Sequence, residues 1–198
     1  PLFSWPPKPM AALRWVTNNW LPMTEYTIYA LMAWATWVWL LPPLEQMQTL
    51  SWVWVLQIWA RNLILMIIFA QGLHLWLYGW KSQGDDFKYD RRGPARNART
   101  FLWNDQYWDN ITYALLSGVT IWTFYDVIVW IGYANGWAPM ITMQSNPIWF
   151  FTLFLFLPLI QSFHFYWIHR VLHIPFFYKR VHSVHHRSVS IAPWSGFS

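Results

Sequence analysis

Four stretches of this chain are apolar over roughly the 20 residues that a bilayer crossing needs, and that pattern limits the fold more than any other feature. They run from about Tyr26 to Leu41, from Leu50 to Leu77, from Ile111 to Ala134, and onward from Ile148. Pro42 and Pro43 close the first, and Pro158 predicts a kink in the fourth. Charge placement orients them. The segment Lys81–Arg99 holds Lys81, Lys88, Arg91, Arg92, Arg96 and Arg99, whereas the loops Pro42–Thr49 and Asn135–Asn146 hold no lysine or arginine. Four spans with both termini on the basic side leave Arg61, alone of the 13 basic residues, outside the cytoplasmic regions, as the positive-inside rule requires.

Composition agrees with this reading. Hydrophobic residues make up 56% and charged residues 11%, about half the share of a soluble globular domain. The 19 tryptophans suit a membrane–water interface, where an indole keeps its ring in lipid and its N–H wet. The expectation is an all-α integral membrane protein of about four transmembrane helices with a cytoplasmic, histidine-rich helical cap. It divides into an amino-terminal interfacial segment (1–24), a transmembrane region (25–163) with a cytoplasmic loop (81–110), and the start of a histidine-rich, metal-binding region (164–198). Pro9–Leu21 mixes Met10, Leu13, Trp15, Val16 and Trp20 with Arg14 and Asn18, and reads either as a helix lying in the interface or as a plain structured leader. The chain opens at Pro1 and stops at Ser198 within a promising run, and so reads as a piece of a longer protein.

Two charges fall inside the spans. Arg61 is about eleven residues from the outer end of the second span and Asp126 about nine from that of the third, so they sit at similar depth. A lone charge there is costly and a pair offsets much of the cost, which predicts an Arg61–Asp126 ion pair or shared polar contact, the alternative being that each charge faces a neighbouring subunit or a water pocket.

Six of the seven histidines lie between His164 and His186, where even scatter would put about one. His169 and His173 are one helical turn apart on one face, and His164 is turned about 140° from His169. His182 precedes His185 and His186 by three and four residues and faces both on a helix. Pro175 ends or bends the first helix and lets the second fold back. Without cysteine, any metal is held by nitrogen and oxygen, and neutral imidazole suits iron, zinc or copper. His164, His169, His173, His182, His185 and His186 are therefore the candidate metal ligands, more than one ion requires, and a two-metal site is the natural reading. His173 has a second reading, as a partner that orients Tyr178 or a ligand histidine. His74 stands apart, as an ordinary interfacial histidine.

The run Tyr166-Trp-Ile-His169-Arg-Val-Leu-His173, followed by Tyr178-Lys-Arg-Val-His182-Ser-Val-His185-His186, resembles the fatty acid hydroxylase/sterol desaturase superfamily. Upstream, Gly72-Leu-His74 with Lys81–Gly84, and Trp103–Gln106 with Asp109-Asn110, are similar to its bacterial members. The resemblance covers most of residues 70–198. It implies a four-helix membrane platform carrying a cytosolic di-iron centre, held through His164, His169, His182, His185 and His186, with His173 completing its box. It implies an oxygenase that takes O₂ and electrons from a redox protein to hydroxylate or desaturate a fatty acyl, sterol or isoprenoid lipid drawn from the bilayer. The bacterial inner membrane is the expected location. The family pattern also has a third histidine-rich region, toward which the chain is heading at Trp194–Ser198. A degenerate member that holds metal poorly is the alternative.

An unactivated C–H bond needs an oxidant that side chains cannot make, so a metal–oxygen species carries such chemistry. Phe163, Phe165, Trp167, Phe176 and Phe177 either wall a lipid channel or are ordinary interfacial aromatics. The basic central loop either meets a lipid phosphate or an acidic electron donor, or serves topology alone. Trp103–Asn110 is a candidate cap over the metal site, on the resemblance alone. Rival readings are a non-catalytic scaffold subunit of a larger membrane complex, and a haem protein using His74 and His164. Nucleic-acid binding is disfavoured, because topology accounts for the modest basic surplus.

Overall fold

The computed structural model describes residues 5–15, 17–18, 24–86, 88 and 91–197, and it is helical without a strand among them. Pro1–Pro42 forms a compact unit of its own. It contains α1 (Pro9–Trp15), a short helix that buries none of its residues, and α2 (Thr24–Trp39). The 16 residues of α2 rise about 24 Å, somewhat less than a bilayer's hydrocarbon thickness. Val16 and residues 19–21 of the segment read as interfacial, and residues 1–4 of the proline-rich start, lie outside the described residues.

The second unit, Pro43–Ser198, carries the longer helices. A single turn at Leu44–Met47 leads to α3 (Trp52–Gly79), and α4 (Gln106–Ala134) follows the central loop. Both are long and apolar enough to cross a membrane, and only 33% and 17% of their apolar windows are buried. A helix at the core of a soluble protein hides most of such a surface, so their open apolar faces fit lipid contact.

Side chains set where these helices begin and end. Ser51 caps α3 by accepting from the Val53 amide at 3.3 Å. Asp105 caps α4 by accepting from the amides of Tyr107 and Trp108 at 2.9 and 3.3 Å. At the far end of α4, Gly136 takes φ +69°, its amide reaches the Tyr133 carbonyl at 3.1 Å, and the Trp137 amide reaches that of Gly132 at 2.8 Å. That pair of bonds is a Schellman stop, and the left-handed residue is one that tolerates the conformation without strain.

Three long-range contacts fix the packing of α3 and α4. Asn135 meets the Gln48 carbonyl, Asn62 meets Thr123, and Tyr107 meets Gln71. One index rises as the other falls, so the helices are antiparallel. Between them lie Met66, Ala70, Ala114 and Val119, with Trp194 from the carboxy-terminal segment packed into the same cluster. The ion pair expected between Arg61 and Asp126 is formed. Asn62 joins it, donating through Nδ2 to Asp126 at 3.0 Å and to Thr123 at 3.2 Å while its carbonyl oxygen accepts from Arg61 at 2.8 and 3.0 Å.

The helix α5 (Pro147–Leu172) is 26 residues long, starts with proline in its first turn, and continues across position 158. After a turn at His173 and Ile174, Pro175 opens α6, residues 175–186. Four helical stretches widen into π turns: Ile67–Gln71 and Leu75–Gly79 in α3, Ala114–Gly118 in α4, and Tyr178–His182 in α6.

Candidate metal centre

The last turn of α5 presents His169 and His173, whose Nε2 atoms lie 3.1 Å apart, the result of i,i+4 spacing on one face. In α6 the π turn Tyr178–His182 ends at His182, and a regular turn follows, so that His186 Nε2 lies 3.1 Å from His182 Nε2. The turn at His173–Ile174 folds α6 back over the end of α5. Ring centroids are then 4.6 Å apart for His169 and His182, and 5.1 Å apart for His173 and His186. One ligand-capable nitrogen from each of His169, His173, His182 and His186 lies within 4.8 Å of every other.

A metal ion fits this donor set. Ring nitrogens bound to one ion at about 2.0–2.1 Å lie roughly 3–3.4 Å from each other, and both pairs already meet that spacing. Closing the group requires only a small inward movement of one pair toward the other. The protonation state also suits metal binding. His182, 6% exposed, has its pKa lowered to about 4, first by burial and then by the neighbouring imidazoles of His186, His169, His173 and His185. His186 is lowered by burial and by His173, His185 and His169. Each stays neutral near pH 7 and keeps a lone pair for a metal.

Two of the six candidate ligands stand outside this group of four. His185 stacks on His182 at 5.6 Å and 19°, on the edge of the cluster. His164, on an earlier turn of α5, meets the Tyr125 ring edge-on at 6.5 Å. His173 is one of the four that converge and also stacks on Tyr178 at 5.5 Å and 24°. His74 lies between Tyr107 and Tyr78, with ring centroids 4.4 and 5.2 Å away, and its buried Nδ1 has no hydrogen-bond partner among the described residues.

An open cavity of about 550 Å³ adjoins the cluster, lined by Phe165, Tyr166, His169, Arg170, His173 and Ile174. Two histidines of the cluster therefore form part of the wall of a mainly apolar recess. Arg170 is the one permanent charge there and donates to the Tyr166 hydroxyl at 3.0 Å.

The segment that leaves the cluster is tied to the start of α4. Arg187 pairs with Asp109 at 2.5 Å, Ser188 donates to Asn110 at 2.8 Å, and Gln106 donates to the Ser190 carbonyl at 2.8 Å. Farther on, Tyr78 donates to the Ile191 carbonyl, and Trp194 donates to Gln71 at 3.1 Å, the same acceptor that Tyr107 uses at 2.9 Å. Gln106, Asp109 and Asn110 are fully buried. Their i, i+3, i+4 spacing at the head of an apolar helix was a readable signal of one inward polar face, which motif resemblance alone had marked.

A family model described as fatty acid hydroxylase matches residues 152–198. A Dictyostelium discoideum protein with the provisional name methylsterol monooxygenase is 43% identical over 53 residues, which is 27% of this chain and 19% of that relative. The match thus spans about a fifth of the relative's length. No solved structure matches the chain.

Proposed function

We propose, from the similarity of residues 152–198 to the fatty acid hydroxylase family and from the histidine cluster, that the chain is the membrane part of an iron-dependent lipid oxygenase. The observation that carries the reading is the convergence of four imidazole nitrogens within 4.8 Å at the end of an apolar helix. His169, His173, His182 and His186 would hold one iron. His185, stacked on His182 at the edge of the cluster, and His164, which the family resemblance carries as a ligand, would serve a second ion together with further ligands. Bound iron would supply dioxygen activation: with two electrons from a redox partner and two protons from solvent, hydroxylation sends one oxygen atom into the substrate and the other into water, whereas desaturation removes two hydrogens and sends both oxygen atoms into water.

The residues of this chain do the rest. The depressed basicity of His182 and His186 keeps their lone pairs available at neutral pH. Phe165, Tyr166 and Ile174 give the recess an apolar wall that accepts a hydrocarbon chain and excludes water. Arg170 at the recess suits a polar or anionic head group on that lipid. In this reading the chain crosses the membrane four times and the cluster faces the cytoplasm, within reach of a soluble electron donor and open to lipid from the bilayer. The same scheme serves a fatty acyl, sterol or isoprenoid substrate, ending in hydroxylation or desaturation.

Metal analysis of the complete protein, purified in detergent without added metal, tests this directly. About two irons per chain, lost in the His182→Ala/His186→Ala variant, is the expected result. Zinc in their place would show a competent site loaded with the wrong ion. An intact protein without stoichiometric metal would overturn the oxygenase reading and leave the scaffold-subunit alternative.

A further inference from the structure

We infer that Asp109 is a positioning residue for the histidine cluster, acting through Arg187, an inference that rests on the metal-site reading in one of its two tests. Asp109 is 1% exposed, and a bare carboxylate there is costly unless fully paired. It is paired twice through Oδ1, with the Arg187 guanidinium at 2.5 Å and the Leu102 amide at 2.7 Å. The guanidinium also lies 5.5 Å from the ring centroids of both Phe101 and Tyr113. Arg187 is therefore held from its charged end and from its faces.

Arg187 directly follows His186 and closes the turn that carries His182. Fixing its head fixes the backbone from which two of the four imidazoles project. Asn110 and Gln106 repeat the hold at Ser188 and Ser190, so three inward polar residues on one face of α4 grip three positions, Arg187, Ser188 and Ser190, of the segment that leaves the cluster. The α6 helix itself is short and starts at a proline, and a helix of about three turns does not hold its own geometry in isolation. The clamp supplies that rigidity, as outer partners of a metal site generally do.

The first test uses cobalt(II) as a spectroscopic probe, titrated into the complete metal-free protein in detergent. Asp109→Asn is expected to weaken cobalt binding about 10- to 100-fold and to change the shape of its visible absorption, with the helical content retained. Ser188→Ala, which leaves no unpaired charge behind, is expected to weaken binding less, in the same direction. Arg187→Lys keeps the charge but not the fork, and is expected to restore part of what Arg187→Met loses. The second test needs no metal. Diethylpyrocarbonate modification mapped by mass spectrometry is expected to find His182 protected in the wild type and readily modified in Asp109→Asn and Ser188→Ala. Unchanged cobalt affinity and spectrum in a protein that binds cobalt, or unchanged His182 protection, would overturn the clamp. A wild type that fails to bind cobalt, while the variants still expose His182, would overturn the metal reading and uphold the clamp.

Discussion

At the scale of single residues, protonation and steric fit decide what the centre tolerates. His182 has a folded pKa near 4 against an ordinary value of about 6.5, so the unfolded chain binds the extra proton between those limits. Metal-free protein should lose stability as pH falls from about 6.5 toward 4, and His182→Gln should flatten that part of the curve, a comparison of melting midpoints across pH. Gly118 is constrained by space: an added Cβ would sit 2.8 Å from the Phe197 carbonyl oxygen. Gly118→Ala should therefore destabilise by about 1–3 kcal/mol, whereas Gly72→Ala, with nothing within 4 Å, should be neutral or slightly stabilising. Denaturant titration in mixed micelles would show the contrast. Spacing alone made His169 with His173, and His182 with His186, legible as pairs, because i,i+4 neighbours on a helix must meet. The place of His164 beside Tyr125 was not legible, since helical angles say nothing about which neighbouring element a face meets.

At the scale of elements, the polar bond between α3 and α4 is the feature most exposed to mutation. Removing Asp126 would strand the guanidinium of Arg61, which is 8% exposed, and such uncompensated buried charges cost about 3–5 kcal/mol. Asp126→Leu should show that loss, and the double variant Arg61→Met/Asp126→Leu should recover most of it, which a double-mutant cycle in detergent unfolding would measure. This pair was legible because two lone charges at equal depth in apolar helices have few other solutions. Asn62 at its centre was not foreseen as the bridge. The π turns were equally hidden: three of them end at or next to a glycine, which marks no particular kind of turn, and the one that ends at His182 shifts every later side chain relative to an ideal helix. The tie between α4 and the segment that leaves the cluster joins residues up to 84 positions apart, a relation that local periodicity cannot carry.

At the scale of the whole molecule, α3 and α4 are recognisable as spans from hydropathy alone, and their weak burial leaves the apolar surface that a membrane would cover. The basic loop between them predicts sidedness. The absence of cysteine makes this easy to examine, since single cysteines can be placed without background. Ser82→Cys should react with an impermeant maleimide only from the cytoplasmic side, and Gln46→Cys and Ser145→Cys only from the other. Labelling of all three from one side would overturn the antiparallel arrangement as a membrane topology. The clamp on the segment after the cluster has a bearing on biosynthesis as well. Gln71, Gln106, Asp109 and Asn110 leave the ribosome some 80 to 120 residues ahead of the partners that they receive. The platform can be inserted and paired before the first cluster histidine is translated, so that metal capture becomes a late event in maturation, gated by docking of the newest part of the chain onto the oldest part of the unit.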